Sequence, residues 1–329
     1  MAWTNGTILC NLQHLASTRG PALTVWGEEV YMAYLGEGGK NLWLASFDPT
    51  MGDFTNWQTN QQIHSITGGS PTASDTPAIA QYVTENLQIV FAGPKGESLY
   101  WMETLAGSGA NLGAPFTWPE SSVIDKFNVS SGWNQPKLIV FDNKLQLIAR
   151  DKNGQLWWTW QEFSFRGGSA DDLWQSPVQL NVPSTPGYTW AIQNDTLYLI
   201  NFTETQLFVS ALQSATGATT PQAGSWHSPR AFAPAAGYAI NPWGAAIFAD
   251  DDLYVFYTDL KDVSGYGSGA LAFAVLLLDE VVPGLAGNDY TAAANRTLEP
   301  PAVVAFGNTV LLAYKAVSSS NLHYTFTTF

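Results

Sequence analysis

Apolar residues in this chain occur in short runs, and they do not form long helical stripes. From Pro21 to Phe47 an apolar run is followed by a polar turn, a second apolar run, a Gly-rich turn and a third apolar run. Runs of about four to eight residues bounded by Gly, Pro and Asn are typical of β-strands joined by hairpins. This stretch therefore predicts three consecutive antiparallel strands.

The same three-strand pattern recurs along the chain. Clear copies open at Pro77, Pro136 and Pro301, and weaker copies start near Tyr188 and Gly244. With the copy at residue 21, the starts are 21, 77, 136, 188, 244 and 301, so that successive starts differ by 52 to 59 residues. Four strands in a unit of about 50 residues are typical of a β-propeller blade.

A fourth, polar strand is predicted after a tryptophan in most copies, at Trp57, Trp118, Trp174 and Trp226. The sixth copy ends after its third strand, and Trp3 precedes the first copy at the spacing that these tryptophans show. We therefore predict an all-β, six-bladed β-propeller of four-stranded antiparallel blades, formed by residues 1–329 as one domain. Residues 1–14 would complete the sixth blade and close the ring, which removes exposed sheet edges. An open solenoid, which needs polar capping repeats, and two stacked sandwiches are the alternatives.

Composition and charge narrow the possible partners. Aromatic residues make up 13% of the chain and charged residues 12%, with a net charge of −14. A phosphate backbone requires clustered Lys and Arg, so we predict no nucleic acid partner. No apolar run approaches the ~18 residues of a membrane span, so we predict no membrane insertion. A signal peptide is not visible, which leaves a soluble protein that is cytoplasmic or secreted; the oligomeric state stays open.

The residue types that hold metals or cofactors are sparse. Cys10 is the one cysteine, which excludes an intramolecular disulfide and a Cys-based zinc cluster. The four histidines have no spacing typical of metal ligation. We therefore predict no cofactor and no metal.

The first copy, Pro-Ala-Leu…Val-Tyr…Ala-Tyr…Gly…Asn-Leu-Trp…Phe…Trp, resembles the repeat of fungal and bacterial lectin-like propellers. The six-bladed fucose-lectin-type proteins and the Trp-rich propeller lectins are the nearest families. The resemblance covers nearly the whole chain, and it lies in strand and turn positions. It implies a sugar held between blades by an Arg, an acidic partner and an aromatic platform. A repeated Arg plus Glu is absent, and of five arginines only Arg150 falls in a second strand, so the resemblance does not extend to six equivalent fucose sites.

Polar residues two positions before four of the repeat starts form the first candidate site. They are Arg19, Asp75, Asn134 and Glu299. In a propeller these turns should meet at one mouth of the central channel, where a ligand can bind. The alternative is a solvated rim whose side chains satisfy the turn backbone.

Three tryptophans in the third strand of the copy that opens at Pro136 form the second candidate site. Successive strand residues point to opposite faces, so Trp157 and Trp158 cannot both pack on the same neighbouring blade. We predict a sugar platform that includes Trp158 and Trp160 beside Arg150, with the Trp158 ring at least partly exposed. Packing between blades is the alternative, as it is for the series Trp43, Tyr100, Trp157, Phe208 and His323.

These observations favour a carbohydrate-binding, lectin-like propeller that holds a small sugar between blades or at one mouth of the channel. Two other classes stay open. One is a propeller enzyme that acts on a small molecule in an axial pocket, as a lactonase, glycosidase or pericyclase does; the other is a protein-interaction scaffold. A lectin predicts several similar sites between blades, an enzyme predicts one axial pocket, and a scaffold predicts an exposed apolar patch.

Overall fold

The computed structural model describes residues 7–8, 15–38, 40–48, 57–65, 67–82, 86–104, 118, 120–162, 174–193, 195–213, 221–232, 240–249, 252–259, 269–277, 284–290, 295–317 and 319–328. In this part of the chain the strands form six antiparallel four-stranded sheets, which we call blades 1 to 6. Two short 3-10 helices, Asp125–Phe127 and Ala223–Ser225, lie outside the sheets.

Blades 1 to 3 follow one another in the chain, and each is a meander. Their strands are β2 (Ala22–Trp26), β3 (Glu29–Leu35), β4 (Leu42–Phe47) and β5 (Trp57–Gln62); β6 (Ala78–Tyr82), β7 (Asn86–Ala92), β8 (Leu99–Glu103) and β9 (Ser122–Val123); and β10 (Asn134–Phe141), β11 (Lys144–Arg150), β12 (Leu156–Glu162) and β13 (Val178–Gln179).

Blades 4 and 5 repeat this meander, and blade 6 uses strands from both ends of the sequence. The strands are β14 (Gly187–Gln193), β15 (Thr196–Phe202), β16 (Leu207–Gln213) and β17 (Arg230–Phe232); β18 (Ile240–Ala249), β19 (Asp252–Asp259), β20 (Ala270–Leu277) and β21 (Gly284–Tyr290); and β22 (Ala302–Phe306), β23 (Thr309–Lys315), β24 (Leu322–Thr328) and β1 (Thr7–Ile8).

The chain groups into two compact units. One comprises Cys10–Leu180 and Thr216–Ala223 and holds blades 1 to 3. The other comprises Met1–Leu9, Asn181–Ala215 and Gly224–Phe329 and holds blades 4 to 6. That the two units act as one domain stays a prediction. The first strand of every blade begins within a few residues of a predicted repeat start.

The N-terminal strand completes blade 6, as the sequence predicted. Thr7 pairs with Tyr324 and Ile8 pairs with His323, so that β1 forms the fourth strand beside β24. Trp3 and the rest of the segment 1–14 lie outside the described residues. The tryptophans that precede other fourth strands are core residues, because Trp118, Trp174 and Trp226 are all buried.

The second strand of each blade is covered on both faces. In β3 the six residues from Val30 to Leu35 are buried in succession, and β7, β11, β19 and β23 show runs of the same kind. Successive strand residues point to opposite faces, so a continuous buried run requires packing on both sides. Blades 1 and 2 share one apolar cluster around Leu44 and Ile89, and blades 2 and 3 share another around Val90 and Leu147.

Each blade has two ends. We call the end where the first strand begins, and where the second strand turns into the third, the entry end; the opposite end is the far end. At the entry end a backbone hydrogen bond ties the incoming chain to the previous blade: Ala73 N–H donates to Lys40 O at 2.7 Å, and Trp133 N–H donates to Gly96 O at 2.8 Å. In the other unit, Thr297 N–H donates to Gly269 O at 2.8 Å.

Deleting residues 1–14 should destabilise the protein, because it leaves the edge of β24 unpaired. We expect the melting temperature to fall by about 10 °C or more. Calorimetry on the truncated and intact chains measures the change, and a synthetic peptide of residues 1–14 added in trans should restore part of it. A truncated chain that melts within a few degrees of the intact one would contradict this role of the strand.

Candidate ligand-binding site

Arg19 and Asp75 meet at the entry end of blades 1 and 2. Arg19 Nε lies 3.8 Å from Asp75 Oδ1, and the two side chains are 46% and 16% exposed. Asp75 Oδ1 also accepts the N–H of Thr76 at 2.8 Å, which orients the carboxylate. The Thr76 hydroxyl donates to Gly20 O at 3.1 Å, so the turns that enter the two blades are joined directly.

Asn134 and Arg150 meet on blade 3, where they are cross-strand partners. Arg150 Nε donates to Asn134 Oδ1 at 2.7 Å, and Asn134 Nδ2 donates to Gly132 O at 3.1 Å. The pairing shifts register between Asn134 and Lys137, and buried Gln135 has a φ of 49°. A bulge with a non-glycine residue in the left-handed region stores strain, and such bulges often redirect a side chain near a functional site.

Lys137, the residue after this bulge, was not among the predicted site residues. It is partly buried on β10, and desolvation lowers the pKa of its amine to about 8, although the nearby Asp75 carboxylate acts in the opposite direction. A sequence signal was available. Three of the repeats read Pro-Ala at this point, with Ala22, Ala78 and Ala302, whereas blade 3 reads Pro-Lys.

Glu299 lies in the other unit, in a turn of the same kind as that of Arg19. The Thr297 hydroxyl donates to Glu299 O at 3.1 Å and accepts Glu299 N–H at 3.0 Å. Ser17 makes the same two bonds with Arg19, at 2.7 and 3.2 Å. In both turns the hydroxyl of the residue two positions earlier satisfies the backbone, and the side chains of Arg19 and Glu299 take no part in these bonds. The convergence of Glu299 with Arg19, Asp75 and Asn134 stays a prediction.

The expectation that the Trp158 ring is exposed is wrong. Trp158 is 2% exposed and Trp160 is 3% exposed. Trp158 Nε1 donates to Gln146 Oε1 at 2.9 Å, the two indole rings lie 5.0 Å apart, and Lys144 Nζ lies 4.5 Å from the Trp160 ring centroid. Both rings are buried, so they are packing residues and offer no open face for a sugar.

Trp157, on the opposite face of the same strand, is the partly exposed ring. It packs against the cluster shared by blades 2 and 3, edge-on to Trp133 at 6.3 Å. Its Nε1 donates to Asp151 Oδ2 at 3.2 Å, which holds the indole in one orientation. The Asp151-x-x-Gly154-x-x-Trp157 spacing around the hairpin is the sequence signal for this arrangement.

Asp151 is a buried carboxylate that accepts hydrogen bonds from four groups. Burial alone would raise its pKa, but the Ser130 hydroxyl, the Trp157 indole and the N–H groups of Asn153 and Gln155 together hold the pKa below its usual range. It therefore stays ionised at neutral pH. Its role is to orient the hairpin and the indole.

A partly exposed aromatic ring recurs at the start of the third strand. Tyr100 stacks on Phe91 at 5.5 Å, and a Cβ added at Gly93 would lie 2.8 Å from the Tyr100 ring. The other members are also partly exposed: Trp43, Phe208 and His323. Each of these residues is thus partly buried and partly exposed, at the entry end of its blade.

Within the described residues, no group of three or more His, Cys, Asp or Glu side chains could hold a metal ion. In the same part of the chain, no helix is long and apolar enough to cross a membrane.

Comparison with known proteins shows the fold. No family model and no curated protein matches the chain. Solved structures do match. One is a triple arginine-to-alanine mutant of AofleA from Arthrobotrys oligospora, which has 11% sequence identity to this chain and a TM-score of 0.63. The match covers 100% of this chain and 88% of that one. The α-L-arabinanase of Penicillium chrysogenum, solved with arabinobiose, has 9% identity and a TM-score of 0.61, with coverage of 100% and 99%. The Hadza microbial sialidase Hz136 has 14% identity and a TM-score of 0.60, with coverage of 98% and 68%.

The protein is therefore an all-β, six-bladed β-propeller, as the sequence predicted. Carbohydrate-active enzymes are among the proteins that share this fold. A fold at this level of identity does not carry a function with it, so the function has to be argued from the site.

Replacing Lys137 with Met should stabilise the protein at pH 7 by about 2 kcal/mol, discounted for partial exposure, because a partly buried amine is costly to charge. The folded pKa of about 8 lies below the unfolded value of about 10.4. The unfolded chain therefore binds more protons between these values, and stability should rise with pH across this window.

Urea denaturation at pH 7, 8, 9 and 10 measures that rise, which the Lys137→Met variant should lack. Lys152→Met is the matched control, because Lys152 is exposed on the same blade. If the unfolding free energy rose equally with pH in the Lys137→Met variant and in the parent, the lowered pKa of Lys137 would be contradicted.

Replacing Trp158 with Ala should destabilise the fold by about 3–5 kcal/mol, because it empties a buried ring site and leaves Gln146 Oε1 without its donor. Trp157→Ala should cost less, since that ring is partly exposed. Urea denaturation compares the two variants. A smaller loss for Trp158→Ala than for Trp157→Ala would show that the burial of the two rings has been assigned the wrong way round.

Proposed function

We propose that this protein binds a saccharide, as a lectin does, through the partly exposed third-strand aromatic rings at the entry ends of its blades. The observation that carries the proposal is the Trp157 ring, which reaches the surface and has its indole N–H fixed by Asp151. A ring already held in place loses little conformational entropy when a sugar stacks on it.

The chemistry of an indole face suits this ligand class. A Trp ring offers a large apolar surface with a polar edge, and a pyranose offers an apolar face of C–H groups surrounded by hydroxyls. Trp133 packs edge-on against Trp157 and supports it from the core side. The platform is thus Trp157 rather than the buried Trp158.

Recurrence of the ring position supports binding at more than one blade. Tyr100 lies at the equivalent place between blades 1 and 2, supported by Phe91. Several similar sites between blades are what a lectin predicts. The blades differ in the aromatic residue and its support, so we expect unequal affinities.

The electrostatics of blade 3 favour binding over hydrolysis. A glycosidase uses two carboxyl groups, one of which must carry a proton near neutral pH. Asp151, the carboxylate next to the Trp157 ring, has its pKa lowered and accepts four hydrogen bonds. It is suited to hold an indole and unsuited to donate a proton.

A glycan array followed by calorimetry with the best glycan tests the proposal. Trp157→Ala should weaken binding at this site about tenfold, which corresponds to about 1.4 kcal/mol of lost stacking. Trp157→Phe should lose less, because it keeps a ring and deletes only the N–H donor.

Trp26→Ala is the matched control, since Trp26 is also partly buried but lies at the far end of blade 1, with its ring tilted against Tyr31 at 5.6 Å. Equal affinities in Trp157→Ala and Trp26→Ala, with both variants folded, would contradict the platform. An array on which the parent binds no glycan would contradict the function.

A further inference from the structure

In the described part of the chain, five blades have an equivalent residue at the start of the hairpin between the second and third strands. Each time its N–H closes the hairpin by donating to a backbone carbonyl a few residues further on; these residues are Gly36, Gly93, Asp151, Thr203 and Ala316. In blade 3 this residue also holds the third-strand ring, since Asp151 Oδ2 accepts the Trp157 indole N–H. In blades 1 and 2 glycine stands at this position, so no side chain can take that part.

Gly36 lies directly against the third-strand ring of blade 1. A Cβ added at Gly36 would lie 2.8 Å from Trp43 Cδ1 and closer still to Nε1, a separation that real Cβ atoms essentially never show. The Trp43 ring also stacks on Tyr34, its cross-strand partner, with 6.4 Å between the ring centroids and 23° between the ring planes. The indole is thus held by Tyr34 and Gly36, and it stays partly exposed.

The indole N–H of Trp43 differs from that of Trp157 in having no acceptor. Asp151 takes the Trp157 N–H at 3.2 Å, whereas among the described residues no group accepts a hydrogen bond from Trp43 Nε1. The indole N–H groups of Trp101 and Trp133 also lack a partner, but those two rings are buried in the core. Trp43 therefore combines a partly exposed ring with an unused donor, and an indole N–H can only donate.

We infer that Trp43 is a second saccharide platform, in which the indole face stacks on the sugar and the indole N–H donates to one of its hydroxyl oxygens. This rests on the proposed function, because it uses the same ring position, and it adds a specificity that blade 3 lacks. Blade 3 holds the sugar by stacking, whereas blade 1 also requires a hydroxyl group beside the apolar face of the sugar. Gly36 is a positioning residue, because its missing side chain lets the indole lie where it does.

NMR of the protein labelled with ¹⁵N-tryptophan tests the unused donor without a ligand. The indole signals of Trp43 and Trp157 are assigned by their loss in Trp43→Phe and Trp157→Phe. We expect the Trp43 N–H to exchange with solvent at least about tenfold faster than the Trp157 N–H, because the latter must first break its bond to Asp151. Equal exchange rates, or slower exchange at Trp43, would overturn the inference.

Titration with galactose, mannose and N-acetylglucosamine tests the site itself, in a Trp157→Ala background that removes the blade 3 platform. The sugar that binds most tightly should shift the Trp43 indole signal and slow its exchange. Trp43→Phe, which keeps a ring and loses the N–H, should weaken this binding about tenfold. Gly36→Ala should do the same, because its methyl group displaces the indole while its φ lies outside the left-handed region. Gly224→Ala is the matched control, since an added Cβ there meets nothing within 4 Å, and it should leave the affinity unchanged.

The outcomes separate this inference from the function on which it rests. If a sugar shifts the Trp157 indole signal of the parent but leaves the Trp43 signal in place, the blade 1 site is wrong and the Trp157 platform stands. An unchanged affinity in folded Trp43→Phe would likewise overturn the role of the N–H, even if the Trp43 signal shifts. If neither signal responds and the parent binds no glycan on the array, the proposed function is contradicted together with the inference.

Discussion

Each blade of this propeller has to bury both faces of its sheet, and the other features depend on that requirement. The second strands show it most clearly, since β3 and β7 each have six consecutive buried residues. A sheet covered on both sides cannot follow the polar–apolar alternation of a half-exposed sheet. This accounts for a charged fraction of only 12%, about half the usual ~25%. Charged side chains therefore lie mostly at the strand ends and in the hairpins.

The candidate functional side chains lie at the entry ends of the blades, outside the part of each sheet that is buried on both faces. Backbone hydrogen bonds such as those from Ala73 to Lys40 and from Trp133 to Gly96 hold each incoming segment on the preceding blade. Side chains on these segments are therefore carried on a well-defined backbone. Arg19 and Asp75 come together for this reason, although 56 residues separate their repeats in the sequence.

Blade 3 departs most from its neighbours in the same unit. It has a bulged first strand, a lysine where other copies have alanine, an arginine at the end of its second strand, and three tryptophans in its third. The bulge and the positive φ of Gln135 are departures from regular sheet geometry, and such departures mark positions where the backbone serves something besides packing. The proposed aromatic platform, Trp157, lies on this blade.

A fold shared at 9–14% identity carries no function with it, so the environment of each carboxylate is more informative than the fold. Asp151 is held ionised by its donors, and Asp75 is bonded to a backbone N–H and lies beside a guanidinium. Each acts as an acceptor in its present surroundings. The two differ in access, because Asp75 is partly exposed whereas Asp151 is buried and accepts hydrogen bonds from four groups of its own blade.

The amino-acid sequence by itself determined the repeat, the strand order and the completion of blade 6 by the N-terminal strand. These depend on local alternation and on spacing along the chain, which are read directly from residues such as Pro21, Pro77 and Pro301. Tertiary structure alone decided which of Trp157 and Trp158 reaches the surface, because alternation shows that the two rings point apart but not which face is covered. It also decided the register of blade 3, since the pairing shifts at a bulge between Asn134 and Lys137 that the repeat pattern does not contain.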